Sequence, residues 1–336
     1  MTEFVDLAVA AQRLREAENI LILSHKNPDG DTIGCAGGLQ WILRSLGKQA
    51  AVLCGDPIPE IYDYMNIEVF EGQFHPDFVV AVDVASVQLL GESELMLEYS
   101  ENPNLCIDHH GGNTGYAYET VLDPTAAAAA EIITLLAQEL EVELTPQIAD
   151  CLYTGISTDT GCFKFSSTTA RTHRIAAQLM EAGANVEELN GILFESRSTA
   201  RLEIERMALE SLEYYLDGAC AMVCLTKEQI QESGVAPAEL EDLTSLPRSI
   251  QGVQVGLTLR QQPYGSYKVS VRTTKLVDAC AIANRFGGGG HARAAGCELD
   301  GSQESMKELL IQEVAAALEA ATARQQEEQT EQQEEV

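Results

Sequence analysis

The stretch SHKNPDGDTIG, residues 24–34, follows directly on the apolar run NILIL, residues 19–23. It sets one imidazole and two carboxylates, His25, Asp29 and Asp31, within seven residues at the end of what reads as a buried strand. Short β-branched runs of the same kind recur as far as residue 123: QAAVLCG, DFVVAVDV, NLCIDHH and YAYETVL. Nearly continuous apolar strands separated by crossover segments describe a parallel sheet covered on both faces. The expected class is α/β, with an N-terminal parallel-sheet domain carrying helices on both sides.

Composition narrows what such a chain can do. At 336 residues it is long enough for two domains, each burying its own interior. The formal net charge of −31 repels nucleic-acid backbone, which argues against tracking along long strands and requires any basic site to be small and local. The nine cysteines are odd in number, form no CxxC pair and sit mostly in apolar segments, the pattern of buried thiols in a reducing compartment. No run of 18 apolar residues could span a bilayer, and MTEFVDLAVAAQRLREAE reads as an acidic amphipathic helix. The expectation is a soluble, cytoplasmic protein with no membrane partner.

Helices follow the first set of strands. Asp123 and Pro124 look like a cap and first turn before TAAAAAEIITLLAQEL, and Thr145 and Pro146 like another before QIADCLYTGI. Residues 186–216 carry alternating charge and read as a helical connector between domains. A second domain, residues 217–324, shows the strand ACAMVCLT, then two alternating runs around Pro263, Tyr264 and Gly265 as a hairpin, then GGGGHARAAG and a last strand. It is expected to be a smaller α/β domain with a mixed sheet. Residues 325–336 are polar and acidic and are expected to be disordered. That tail holds five acids, so the remainder stays near −26.

Four polar clusters of the first domain, residues 1–185, fall at or near strand or helix ends. They are His25, Asp29 and Asp31; Asp83 after FVVAV; Asp108, His109 and His110 after NLCI; and Asp159 in GISTDTG, after a helix. In an open parallel sheet, loops at the carboxyl ends of the strands converge on one edge. Taken singly, NPDGD could be turn and cap chemistry and DHH an incidental strand end. Taken together, in this order, they place several carboxylates in one spot, where they repel unless a cation neutralises them. Asp oxygens mixed with His nitrogens suit Mn²⁺ or another first-row divalent ion, and the surplus of ligands suits two ions bridged by one carboxylate. Gly34, Gly37 and Gly38 read as close helix-to-sheet packing.

The order HxxxDxD, a strand-end Asp, DHH, a DTG loop and a C-terminal GGGGH resembles the DHH phosphoesterases with a DHH-associated C-terminal domain. Within them it is most similar to the nanoRNase/pAp phosphatase branch, over about residues 18–299. The resemblance implies two Mn²⁺ ions, with Mg²⁺ or Co²⁺ as substitutes, in the first domain and the nucleotide in the second. It implies His25, Asp29, Asp83 and Asp159 around one ion and Asp31, Asp83 and His109 around the other, with Asp83 as the bridge. Asp108 resembles the carboxylate that fixes a ligating imidazole, and His110 the residue that meets the substrate phosphate. In the second domain Gly288, Gly289 and Gly290 would present backbone N–H groups, while Arg272, His291 and Arg293 would hold phosphate and sugar. The chain departs from the family in reading TAAAAAE after Asp123, where hydroxyl residues are common.

The implied activity is Mn²⁺-dependent hydrolysis of short oligoribonucleotides to mononucleotides, of 3′-phosphoadenosine 5′-phosphate (pAp) to AMP, or both. Short RNA, pAp or pApA are the expected partners, long nucleic acid is not, and a homodimer is compatible. The alternatives are a phosphodiesterase for cyclic dinucleotides or pApA and a non-catalytic nucleotide sensor, which could dispense with Asp83 or Asp159.

Overall fold

A computed structural model describes the backbone of residues 2–334. The chain divides into two compact units, Met1–Ser196 and Arg197–Val336.

The first unit contains strands β1 (Glu3–Phe4), β2 (Asn19–Ser24), β3 (Gln49–Cys54), β4 (Phe78–Val82), β5 (Leu105–Asp108) and β6 (Glu119–Leu122). Its helices are α1 (Leu7–Glu16), α2 (Gly30–Ser45), α3 (Glu94–Ser100), α4 (Ala129–Glu139), α5 (Pro146–Asp159), α6 (Ala170–Glu181) and α7 (Val186–Asn190). The sheet order is β1-β6-β5-β4-β2-β3, and every pairing is parallel. Along β2, Ile20 and Ile22 face one apolar core, with Leu39 of α2 and Leu136 of α4, whereas Leu21 and Leu23 face another, with Phe70 and Met96. All four strand residues are buried, which is why the run shows no polar alternation.

From β2 the chain crosses to β3 on one side and returns to β4 on the other, so the strand order reverses between β2 and β4. Ligand sites of open α/β sheets form at the carboxyl ends of strands at such a reversal. His25 and Asp83, each one residue past its strand, stand there. Helix α2 carries Asp31, is capped by Asp29, and packs closely on α5. A Cβ at Gly34 would lie 2.5 Å from the Cys151 carbonyl oxygen, so the glycine row serves helix-on-helix approach rather than helix-to-sheet packing.

Further local features of the first unit differ from the sequence reading. The N-terminal segment is not helical throughout, since β1 pairs with β6 before α1 begins, with Asp6 as its cap. Helix α4 starts at Ala129 and not at Pro124, because Asp123 closes a turn on Thr125 instead of capping a helix. Asp159 is the last residue of α5 rather than part of the following loop. The segment 186–216 is not one connector: residues up to Ser196 belong to the first unit, and those from Arg197 onward belong to the second.

The second unit contains α8 (Thr199–Glu210), β7 (Glu213–Tyr215), β8 (Cys220–Leu225), α9 (Lys227–Ser233), α10 (Pro237–Asp242), β9 (Val255–Gln261) and β10 (Tyr267–Thr273). After these come α11 (Ala279–Asn284), β11 (Gly289–His291), β12 (Ala294–Leu299) and α12 (Gln303–Glu334). The sheet order is β11-β12-β10-β9-β8-β7, with β8 and β9 parallel and the other pairs antiparallel, a mixed sheet. One face packs on α11 and α12, the other on α8 through Ile204, Met207 and Ala208. That packing and the β7–β8 pairing draw the later part of the expected connector into this unit. Residues 325–334, expected to be disordered, carry helical backbone, consistent with the helix preference of Gln and Glu and the absence of Gly and Pro. Glu335 and Val336, the end of that tail, lie outside the described residues. Among the described residues no helix is long and apolar enough to cross a membrane.

Candidate active site

His25 begins the cluster. Its Nδ1 donates to the Lys26 carbonyl at 2.8 Å, since a carbonyl can only accept. That leaves the Nε2 lone pair facing Asp29 Oδ1 at 3.6 Å and Asp83 Oδ2 at 3.8 Å. Asp29 is the cap of α2, its Oδ1 accepting from the N–H groups of Asp31 at 3.0 Å and Thr32 at 3.1 Å. Burial lifts the Asp29 carboxyl, but His25 in its protonated form, whose Nε2 then carries a proton, and these backbone donors outweigh it and hold the group below its ordinary range.

Asp83 has a backbone φ of 57°, left-handed for a residue with a Cβ, and its N–H donates to the Ile107 carbonyl at 2.9 Å. Such a conformation costs roughly 1–2 kcal/mol and persists where the surroundings impose it, as at functional sites. The carboxylate is 3% exposed. Its Oδ1 lies 3.6 Å from both His109 Nε2 and His110 Nδ1, while Oδ2 faces His25. Oδ1 is buried without a hydrogen-bond partner among the described residues. Burial, then the nearby Asp31 and Asp29, push this carboxyl well above its ordinary value.

Asp31 is buried on the first turn of α2 and meets the first turn of α4. The N–H of Ala129 donates to Oδ2 at 2.6 Å and that of Ala130 to Oδ1 at 3.0 Å. Helix N-terminal donors favour a carboxylate, yet burial and then the facing Asp159 push Asp31 up to about 7. His109 Nδ1 donates to the Ala126 carbonyl at 3.1 Å, presenting the Nε2 lone pair to Asp31 Oδ2 at 3.9 Å and Asp159 Oδ2 at 3.6 Å. Burial likewise raises Asp159.

The resemblance grouped Asp159 with His25 and Asp29; the geometry brings it to Asp31 and His109 instead. The reason lies in the α2–α5 contact: a Cβ at Gly155, one turn before Asp159, would sit 2.7 Å from Asp31 Oδ1. Asp108 holds the second imidazole of the pair. Its Oδ1 holds His110 Nδ1 at 2.7 Å, whereas the ligand-like His109 is oriented by a backbone carbonyl. Fully buried, Asp108 is kept low against its burial by His110 and by Asn113, whose Nδ2 donates to Oδ2 at 2.6 Å. The hydrogen bond to Asp108 raises His110, the most exposed imidazole of the cluster.

These groups fit a divalent metal. Three sets, His25–Asp29–Asp83, Asp31–His109–Asp159 and Asp83–His109–His110, each place their ligand atoms within 4.8 Å of one another. Contacts of 3.6–3.9 Å between imidazole nitrogen and carboxylate oxygen are too long for hydrogen bonds, and Asp31, Asp83 and their neighbouring carboxylates raise one another without a cation among them. Asp83 Oδ1, buried and unpartnered while Oδ2 faces His25, is the oxygen that a carboxylate shared by two ions would need. Carboxylate oxygens with neutral imidazole nitrogens are the donors of a first-row divalent ion.

In the second unit, register aligns Arg272 of β10, Ala294 of β12 and His291 of β11 in one row across three strands. Directly paired residues point to the same face, and the small Ala294 between them leaves Arg272 and His291 room on it. Arg272 is partly buried, which lowers its pKa, and His291 is exposed. Gly289 and Gly290 form β11 itself, and the Gly288 N–H closes on the Ala283 carbonyl at 3.0 Å. Arg293 holds protein backbone instead of facing that row: its Nη1 donates to the carbonyls of Thr274 and, at 2.7 Å, Val277, tying down the loop after β10.

Asn113 and the backbone of residues 126–130 were missed from sequence. Asn113, three residues past His110, was visible but had no pattern to mark it. Backbone donors and acceptors leave no residue signature.

The comparisons with known proteins agree with this layout. The chain matches the model of the DHH family N-terminal domain over residues 19–156 and of the DHHA1 domain over residues 219–320. It is 33% identical to the bifunctional oligoribonuclease and PAP phosphatase NrnA of Thermus thermophilus, across 88% of this chain and 89% of that one. It is 28% identical to a probable bifunctional oligoribonuclease and PAP phosphatase NrnA of Streptococcus mutans, across 84% and 90%. The crystal structure of an exopolyphosphatase-related protein from Bacteroides fragilis superposes with a TM-score of 0.81 at 24% identity, covering 94% of this chain and 96% of that chain. With the two domains in place and its carboxylate–imidazole cluster at the strand ends, the chain belongs to the DHH family of phosphoesterases.

Proposed function

We propose that this chain hydrolyses short oligoribonucleotides to mononucleotides and pAp to AMP, with Mn²⁺ as its metal. The observation that carries the reading is Asp83, whose two oxygens face imidazoles of different ligand sets while Oδ1 stays unpartnered. The two relatives named above carry both activities in their names and align along most of their length. His25, Asp29 and Asp83 would hold one ion, and Asp31, His109 and Asp159, with Asp83 shared, the other. When bound, such a pair supplies Lewis acidity toward a phosphoryl oxygen and lowers the pKa of water.

The remaining steps belong to the protein's own groups. His110, oriented by Asp108 through Nδ1, keeps Nε2 for a non-bridging phosphoryl oxygen, and its raised pKa favours the form that donates there. Arg272 provides a planar fork for a terminal phosphate, and His291, in the same row, a hydrogen bond to phosphate or sugar. Asp108 and Asn113 keep His110 in place. With a net charge of −31, the chain favours substrates that need only these few local contacts. Nine free thiols suit a reducing cytoplasm.

The test is hydrolysis by the full chain with Mn²⁺. AMP from pAp and mononucleotides from a trinucleotide, both lost in EDTA, are expected. Cleavage confined to cyclic di-AMP or pApA would move the substrate class to cyclic-dinucleotide turnover.

A further inference from the structure

We infer that Arg171, on α6, is a positioning residue for the ion site formed by Asp31, His109 and Asp159, acting through the loop of residues 123–130. The inference rests on the two-ion reading above and names a residue that touches neither ion nor substrate.

The loop orients two of the three ligands, and it does so with its backbone alone. The Ala126 carbonyl accepts a hydrogen bond from His109 Nδ1–H, and the Ala129 and Ala130 N–H groups donate to both oxygens of Asp31. The alanine side chains from 126 to 130 are buried and apolar, so they offer no polar grip of their own. The direction in which two ligands point therefore depends on whatever fixes that backbone.

Arg171 fixes it from both ends. Its Nη1 donates to Asp123 Oδ2 at 2.8 Å, where the loop begins, and its Nε to Glu131 Oε2 at 2.7 Å, in the first turn of α4. Each carboxylate passes the hold inward. Asp123 Oδ1 accepts from the N–H and Oγ1 of Thr125, and Glu131 Oε1 accepts from the Ala127 N–H at 3.4 Å. The Asp123 N–H also donates to the Asp108 carbonyl at 3.1 Å, which ties the brace to β5. Glu131 is fully buried, and Arg171 is its ion-pair partner. Two carboxylates bound through different nitrogens of one planar fork set a distance and an angle, which a single ammonium does not. His25 and Asp29 are held elsewhere, by the Lys26 carbonyl and the start of α2, so the brace acts on one ion site and not on the other.

The experiment measures stepwise binding of Mn²⁺ alone to the full chain, by the resonance signal of the free ion, alongside thermal unfolding in EDTA. Arg171→Lys keeps the charge without the fork. Arg171→Met with Glu131→Gln removes the fork without leaving a buried carboxylate unpaired, and it decides the matter should the Lys variant not fold. In both, one Mn²⁺ affinity should fall about 10–100-fold while the other stays within about threefold of the parent, the scale of losing a partner that orients a ligand. Two unchanged affinities in a folded variant would overturn the inference, as would both falling together in step with the metal-free unfolding temperature. A parent chain that binds fewer than two ions would overturn the two-ion reading beneath it, a failure visible before any variant is made.

Discussion

Asp83 Oδ1 stands 3.6 Å from His109 Nε2, buried and without a hydrogen-bond partner among the described residues, while its Oδ2 faces His25. A carboxylate in that position costs free energy unless cations neutralise it, and its left-handed backbone adds to the cost. Asp83→Asn is the cleanest probe, because Asn tolerates the left-handed region and preserves shape. Turnover should fall by at least about three orders of magnitude, since the amide cannot supply charge to two ions. Near-normal turnover in a folded, metal-loaded variant would contradict the shared role.

Protonation gives a second test. Without metal, Asp31 is raised to about 7 and Asp83 and Asp159 are raised as well, so above about pH 4 the folded chain holds protons that the unfolded chain has released. Stability from these groups therefore falls as pH rises from about 4 to about 7. The raised His25 and His110 act in the same direction, their contribution being lost as pH climbs through their folded pKa. Asp29 and Asp108 are lowered, so their contribution is lost only at acid pH, below this window. The unfolding temperature in EDTA should be higher at about pH 5 than at about pH 7.5. Added Mn²⁺ should raise it more at the higher pH and release protons, which calorimetry in two buffers of different ionisation enthalpy would read. A metal-free unfolding temperature that rises across this window, or metal binding without proton release, would count against the cluster as described.

The same residues show how far the sequence could be read. The apolar run of β2 and the HxxxDxD that follows were legible because burial on both faces and charge at a strand end each leave a compositional mark. The Thr145–Pro146 cap was legible for a similar reason: Thr145 accepts from the Ile148 N–H, and Pro146 occupies the first helical position. Asp123–Pro124 carries the same signature and made a turn, because Asp123 had Thr125 and Arg171 to bond and the helix began where its N–H groups could reach Asp31. β1 has two residues and β7 three, too few for a period to register. The partner of Asp159 was decided by how α5 lies on α2, a tertiary fact with no local signal.

Arg272→Ala and His291→Ala should leave Mn²⁺ content at the parent level and raise KM. A charge-assisted contact is worth roughly 1.5–3 kcal/mol, which corresponds to about 10- to 150-fold. Metal analysis beside Michaelis–Menten kinetics on pAp reads both quantities. Loss of metal from either variant would refute the division of labour between the two units.

Gly290→Ala should mimic His291→Ala without touching any ligand-binding side chain. Gly290 has φ of 143°, and a Cβ there would lie 2.6 Å from both the Ala294 carbonyl oxygen and Ala295 Cα. β11 must then shift from β12, at a cost of roughly 1–3 kcal/mol, and carry His291 with it. Kinetics and unfolding of the variant would show a raised KM with intact metal binding; unchanged KM would mean that the edge strand does not present His291 to substrate.

Substrate length is where the charge of the chain and the small number of its local contacts act together. A chain with a net charge of −31 repels each phosphate outside the few local contacts, so added nucleotides bring repulsion without compensation. Catalytic efficiency should be measured on RNAs of 2, 3, 5, 12 and 24 nucleotides at two ionic strengths with Mn²⁺ present. Efficiency should decline beyond about five nucleotides, with a shallow salt dependence equivalent to roughly one to three phosphate contacts. A 24-mer degraded as efficiently as a 3-mer, with the steep salt dependence of about six to ten contacts, would contradict that expectation.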